Sequence, residues 1–213
     1  MYNTILFDLD GTLTDSARGI TNSVAYALTE FGLRFDSKEE LRCFIGPPLI
    51  KMFIQVYGVS EEEARDLVKK YREYYAVTGI FENDLYENVE DLLSALYSDG
   101  KKLILATSKP EHFAVKILEH FGIAKYFSHI CGATMDEKRT EKDAVIAYAL
   151  DCAEITDVSS VVMVGDRKYD ILGAKSFGID SIGVLYGYGS REELESAGAT
   201  HIAQSVNDIF KFV

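Results

Sequence analysis

Basic residues are in short supply. Lysine and arginine together number 22 against 34 aspartates and glutamates in 213 residues, for a formal net charge of −12. Nucleic acids and anionic membranes need a basic footprint, so neither is an expected partner, and any bound phosphate has to be held by a local positive site. Cysteine is sparse too. Cys43, Cys131 and Cys152 lie far apart without a CxxC pair, which argues against a disulfide framework or a zinc site and for buried, reduced thiols. The histidines His112, His120, His129 and His201 show no HxH or HxxxH spacing and are expected to be structural or on the surface. No apolar run approaches the ~18 residues of a membrane span. The chain enters a first strand within a few residues, so no leader is expected and a cytoplasmic location is.

What is present is ordinary globular material, 47% hydrophobic and 26% charged, enough for one large domain or for a core carrying an insert. From Asn88 onward, strand-like and helix-like segments alternate. Strands are predicted at Leu103 to Ala106, around His129 to Gly132, at Val161 to Val164, at Ser181 to Leu185 and near His201 to Ala203. Helices are predicted after Asn88, after Pro110, from about Thr140 to Leu150, through Ile171, Ala174 and Phe177, after a Ser190/Glu193 capping box, and from about Ser205. This rhythm demands right-handed crossovers and a mainly parallel sheet covered by helices, an α/β fold. Residues 14 to about 82 break it. They read as helices alone, with capping boxes at Ser37/Glu40 and Ser60/Glu63 and a stiff Gly46-Pro47-Pro48 turn. The insert leaves the chain at the rim of an acidic pocket, where a lid belongs.

That pocket is implied by four aspartates. Asp8 and Asp10 close the apolar run Ile5-Leu6-Phe7, and Asp166 and Asp170 follow Val161-Val162-Met163-Val164-Gly165. A single Asp after a strand is usually a cap or turn residue, but two close pairs after two buried strands are harder to explain that way. Ligands bind at the carboxyl ends of such strands. If the strands are neighbours, the carboxylates repel one another unless a cation joins them, and an oxygen-only set suits a hard ion, Mg²⁺ above all. Gly11 stands where a missing Cβ lets the backbone approach a ligand or take unusual dihedrals.

The run Phe7-Asp8-Leu9-Asp10-Gly11-Thr12-Leu13, with Thr107, Lys142 and Gly165-Asp166-Arg167-Lys168-Tyr169-Asp170, resembles the four motifs of the haloacid dehalogenase superfamily of phosphatases over essentially the whole chain. The stretches Ile45 to Leu49, Ala106 to Pro110, Met163 to Arg167 and Gly183 to Ser190 look most like its phosphoglycolate phosphatase branch and 5′-nucleotidase-like subgroup. The resemblance implies a Rossmann-like, mainly parallel core over residues 1–14 and 83–213 and an all-helical cap over 15–82. It implies Asp8 as nucleophile, Asp10 as general acid/base, and Thr107 and the Ser108 backbone as phosphate donors. Lys142 becomes the fixed positive charge. Asp8, the Asp10 carbonyl and Asp166 become the Mg²⁺ ligands, with Asp170 orienting Lys142 or a metal-bound water.

Arg18 and Lys51 are candidate contacts for an anionic leaving group, though ordinary surface charge explains them as well. Tyr71, Tyr74 and Tyr75 could stack a base, but their helical spacing fits packing better. The expectation is a Mg²⁺-dependent phosphatase for small phosphorylated metabolites, 5′-nucleotides or 2-phosphoglycolate. Its alternatives are a pyrophosphatase or sugar-phosphate phosphatase of the same superfamily. A receiver-like signalling domain or an idle phosphate-binding protein is the alternative of another class. Mutase chemistry is not expected, because Ile20 stands where the mutases carry a histidine.

Overall fold

Strand β1 (Thr4–Phe7) is buried along its whole length, with Ile5, Leu6 and Phe7 at 0% exposure. A strand covered on both faces reads as a nearly continuous apolar run, and truncating a side chain such as Leu6 to alanine costs about 2–5 kcal/mol. The computed structural model describes residues 2–136 and 138–213, and the chain divides into two compact units, Met1–Thr14 with Leu85–Val213, and Asp15–Asp84. The two connecting segments, β2 (Thr14–Asp15) and β3 (Asp84–Leu85), pair as a short two-stranded sheet. Two-residue strands carry no periodicity, and the sequence gives no sign of them.

The second unit is helical apart from the ends of β2 and β3. It contains α1 (Ala17–Glu30), α2 (Leu49–Tyr57), α3 (Glu61–Tyr75) and two 3₁₀ turns. Val24, Leu28, Phe44, Phe53 and Leu67 form its interior. Ser60 and Glu63 make the reciprocal capping box at the start of α3. The box predicted at Ser37 is not formed. Glu40 Oε1 accepts from the backbone N–H groups of Asp36 and Ser37, and a 3₁₀ turn, Glu40–Phe44, begins at Glu40 itself. Tyr71 and Tyr75 are buried and stacked on each other, 5.2 Å between centroids. Helical spacing has produced packing at this pair.

In the first unit α4 (Val89–Ser98), β4 (Lys102–Pro110), α5 (Glu111–His120), β5 (His129–Ala133), α6 (Lys142–Cys152), β6 (Val161–Gly165), α7 (Lys168–Ser176), β7 (Asp180–Val184), α8 (Arg191–Ala197) and β8 (His201–Ala203) follow in alternation. The sheet order is β5-β4-β1-β6-β7-β8, with all its pairings parallel. Leu6, Ile104 and Met163 meet Val145, Ile146 and Ala149 of α6 on one face. The predicted last helix is a 3₁₀ turn, Val206–Lys211, entered through a Ser205/Asp208 capping box. Asn88, the residue before α4, lies at φ 68° and makes no side-chain cap bond, so it enters the helix through a left-handed backbone. Of the cysteines, Cys131 is buried, Cys152 is half-buried and Cys43 is exposed. All three are free thiols, but the expectation of burial fails for Cys43. Among the described residues no helix is long and apolar enough to cross a membrane.

The order places β1 between β4 and β6. The chain leaves β1 to build outward on one side, then returns to build on the other. This reversal is the switch point where a parallel sheet opens a crevice at its carboxyl edge.

Candidate active site

Four segments meet at that crevice. The β1 ladder runs one residue past the strand, because the Asp8 N–H donates to Val164 O at 3.0 Å. The chain then coils back on Leu9 O, which accepts from the N–H groups of Leu13 and Thr14 at 2.9 and 3.0 Å. Gly11 sits at φ 81°, and a Cβ there would stand 2.2 Å from Asp166 Oδ2. Both reasons for a glycine apply at this one position.

Lys142 is the first residue of α6, an unfavourable place for a cation because the helix dipole points its positive end there. Two carboxylates hold it. Nζ lies 2.7 Å from Asp170 Oδ1 and 2.8 Å from Asp8 Oδ1, and donates to Ala106 O at 3.1 Å. The three protons of the ammonium thus have three partners. Burial works against the charge, but Asp170 and Asp8 outweigh it and hold the pKa above the ordinary lysine value.

The acid groups feel the opposite imbalance. Oxygens of Asp8, Asp166 and Asp170 all lie within 4.8 Å of one another. Burial, and after it the charges of Asp170 and Asp8, push Asp166 well above the usual carboxylate range. Burial also lifts Asp170, to about 6, against the pull of Lys142 and with a further push from Asp8. Three carboxylates against one ammonium leave two negative charges uncompensated. Asp166 is fully buried, with Oδ2 taken by the Tyr188 N–H at 2.7 Å and Oδ1 lacking any hydrogen-bond partner among the described residues. An orphaned buried oxygen is costly, and a divalent cation with oxygen ligands matches both the charge and the donor set. The residues fit a divalent metal.

Asp10 stands apart from this group. Its carboxylate is not one of the three clustered here; Lys109 Nζ approaches Asp10 Oδ2 at 2.9 Å, with both side chains largely buried. The expectation that all four aspartates share one set of charges therefore divides into a cluster of Asp8, Asp166 and Asp170, two of which hold Lys142, and a pair of Asp10 with Lys109. Sequence reasoning missed Lys109. The signal was its place between Thr107 and Pro110 at a strand end, where a solvated lysine is out of place. Thr107 is buried and its Oγ1 accepts from the Lys109 N–H at 3.2 Å, which fixes the turn. Ser108 is half-buried in the same stretch. Arg18 belongs to the helical unit, exposed on α1, and Lys51 is exposed on α2. The segment after β7, singled out in the sequence only as a stretch of resemblance, also takes part in the site. Tyr186 OH donates to Thr12 O at 3.0 Å, and Tyr188 grips Asp166.

Comparison with known proteins agrees with this geometry. A family model described as haloacid dehalogenase-like hydrolase matches residues 5–184. A protein named 5′-nucleotidase from Pseudomonas aeruginosa is 44% identical over 94% of this chain and 90% of its own length. Tyrosine-protein kinase PtkA of Mycobacterium tuberculosis is 38% identical over 94% of this chain and 68% of its own length. A phosphoglycolate phosphatase of Vibrio parahaemolyticus is 32% identical over 98% and 95%. A crystal structure described as a predicted phosphatase from Clostridium acetobutylicum superposes with a TM-score of 0.96 at 46% identity, covering 99% of this chain and 97% of that one. The chain belongs to the haloacid dehalogenase-like hydrolase family and is an enzyme of its phosphatase kind, hydrolysing phosphoric monoesters.

Proposed function

We propose that the enzyme is a Mg²⁺-dependent phosphatase of small soluble phosphate monoesters that works through an aspartyl phosphate on Asp8. Nucleoside 5′-monophosphates rank ahead of 2-phosphoglycolate as substrates, because the relative at 44% identity is named a 5′-nucleotidase and the one at 32% a phosphoglycolate phosphatase. The observation that carries the reading is Asp8 at the end of the central strand, held on Lys142 beside the orphaned Asp166 oxygen. Lys142 holds the Asp8 carboxylate in place, as an aimed nucleophile requires. Asp8 Oδ attacks phosphorus while Asp10, fixed by Lys109, gives a proton to the departing alkoxide. Asp10 then takes a proton from water, which attacks the aspartyl phosphate, releases inorganic phosphate and regenerates Asp8. Thr107 and the neighbouring backbone N–H groups hold the phosphoryl oxygens where charge collects. Asp8, the Asp10 carbonyl and Asp166 would hold the Mg²⁺, which when bound neutralises phosphoryl charge. Asp170 sets the position of Lys142. In the helical unit, Arg18 and Lys51 are assigned to the anionic part of the leaving group.

A panel of phosphate esters assayed with and without Mg²⁺ tests this. Turnover should need the metal, favour nucleoside monophosphates, and vanish in Asp8→Asn while circular dichroism stays native. Wild-type turnover by that variant would sink the mechanism. The kinase-named relative motivates one further arm, phosphoryl transfer from ATP to a protein tyrosine. Transfer faster than ester hydrolysis would reassign the acceptor.

A further inference from the structure

Lys109 reaches the crevice from the carboxyl end of β4 and Lys142 from the first residue of α6. Their amines must be held in register with Asp10 and with Asp8, yet the β4/β5 pairing slips at the end of β4, from Thr107↔Gly132 to Pro110↔Ala133. A pair of side chains spans the slip. Glu111, the residue after Pro110, accepts through Oε2 from the Gly132 N–H at 3.1 Å and from Arg139 Nη2 at 3.3 Å. Arg139 Nε donates to Gly132 O at 2.9 Å, so the two side chains bind both backbone groups of Gly132. The Arg139 guanidinium lies over the Tyr148 ring of α6, 3.5 Å from its centroid. Thr134 N donates to Arg139 O at 2.9 Å, and Arg139 N donates to Thr134 Oγ1 at 3.1 Å. There is no slack beneath the pair. A Cβ on Gly132 would stand 2.6 Å from Glu111 Cα and 2.7 Å from Lys109 O.

We propose that Arg139 and Glu111 form a positioning clamp that locks the end of β4 carrying Lys109 to the segment leading into α6 and Lys142. Lys142 follows Arg139 by less than one helical turn of chain, and Glu111 follows Lys109 with only Pro110 between. A displacement of either segment is therefore transmitted to an amine. The planar fork of arginine is required because it meets a carboxylate and a carbonyl at once, with its face on an aromatic ring; a lysine cannot do all three. The catalytic consequence rests on the proposed phosphatase mechanism. The packing consequence does not.

The test uses the full chain and the variants Arg139→Ala, Arg139→Lys and Glu111→Gln. With saturating Mg²⁺ and an aryl phosphate, kcat should fall by about tenfold or more in both arginine variants, with KM changing by less than about threefold, since misplacement by ~1 Å is enough for such losses. Arg139→Lys should not restore kcat. Glu111→Gln, which keeps an acceptor for the Gly132 N–H, should be intermediate and serves if Arg139→Ala fails to fold. A second readout needs no turnover. Lysine acylation followed by peptide mass spectrometry should find Lys109 and Lys142 protected in the wild type and labelled about tenfold faster in Arg139→Ala, with other lysines unchanged. Full kcat in folded variants overturns the catalytic role, and unchanged protection of both amines overturns the clamp. A wild type without phosphatase activity but with the expected labelling pattern would condemn the functional reading and leave the clamp standing.

Discussion

Replacing Lys142 by methionine keeps the length of the stem and removes the ammonium that Asp8, Asp170 and Ala106 O share. Breaking a buried ion pair by deleting one partner costs about 3–5 kcal/mol, because a carboxylate is left buried without compensation. The loss of a donor to Ala106 O adds about 1 kcal/mol. Protonation of Asp170, whose pKa of about 6 is already raised, relieves part of this, so about 3–5 kcal/mol is the net expectation for Lys142→Met in EDTA at neutral pH. For a chain of this size, each kcal/mol lowers Tm by about 2–4 °C, which makes the loss about 6–20 °C. The double variant with Asp170→Asn should recover about 1–3 kcal/mol, since the second change removes a charge that the first has stranded. Thermal unfolding followed by circular dichroism gives all four corners of the cycle. Stability within about 1 kcal/mol of wild type for Lys142→Met, or a penalty that is the same with and without Asp170→Asn, would refute the idea that the cluster is held by its cation.

In EDTA the raised pKa of Asp170, about 6, means that the native state binds a proton the unfolded chain releases near the ordinary carboxylate value of about 4. Stability at this site is penalised above pH 6 and regained as pH falls from about 6 toward 4, and Asp166, raised for the same reasons, acts with the same sign. Because Mg²⁺ opposes that protonation, the Tm gap between Mg²⁺ and EDTA should widen from pH 5 to pH 8; a constant gap is the contrary result. Gly11→Ala forces a left-handed φ of 81° on an alanine and drives its Cβ to 2.2 Å from Asp166 Oδ2, so calorimetry should show Mg²⁺ affinity reduced by about tenfold or more, a shift of ~1.4 kcal/mol. Unaltered affinity would mean that Asp166 does not hold the ion. Under the proposed mechanism Lys109→Met should slow alkyl phosphates more than aryl phosphates, by up to about a hundredfold, because Lys109 positions the Asp10 carboxyl that protonates the poorer leaving group. Equal slowing of both classes would remove Lys109 from the proton-transfer step.

Much of the parallel core was legible in the sequence because its strands are buried on both faces. The predicted run Val161 to Val164 lies within β6 (Val161–Gly165), and the predicted His201 to Ala203 is β8. Strand β4 extends past the predicted Ala106 to Pro110, since its carboxyl end is polar where it serves the site and hydropathy stops reporting it. Asp8, Asp166 and Asp170 stand together at one crevice because the topology puts β1 beside β6, and neighbouring strands were the stated condition for such a pocket. The separation of Asp10 was not readable. Period-2 alternation predicts a shared face for Asp8 and Asp10, whereas the chain coils onto Leu9 O and hands Asp10 to a lysine from another strand. The Arg139–Glu111 bridge was equally silent, because it depends on a register slip between strands, and a single sequence carries no trace of pairing register.

The sheet order has a consequence for assembly. Asp8 and Asp170 lie far apart in sequence, and the two meet only after β6 has docked beside β1. No stretch of neighbouring residues holds the ion pocket by itself, and an unfolded or half-finished chain offers an ion no comparable grip. Whatever binds there draws its affinity from the completed sheet and by mass action stabilises it in return. Saturation of the pocket is therefore also a report that β6 has found its place beside β1.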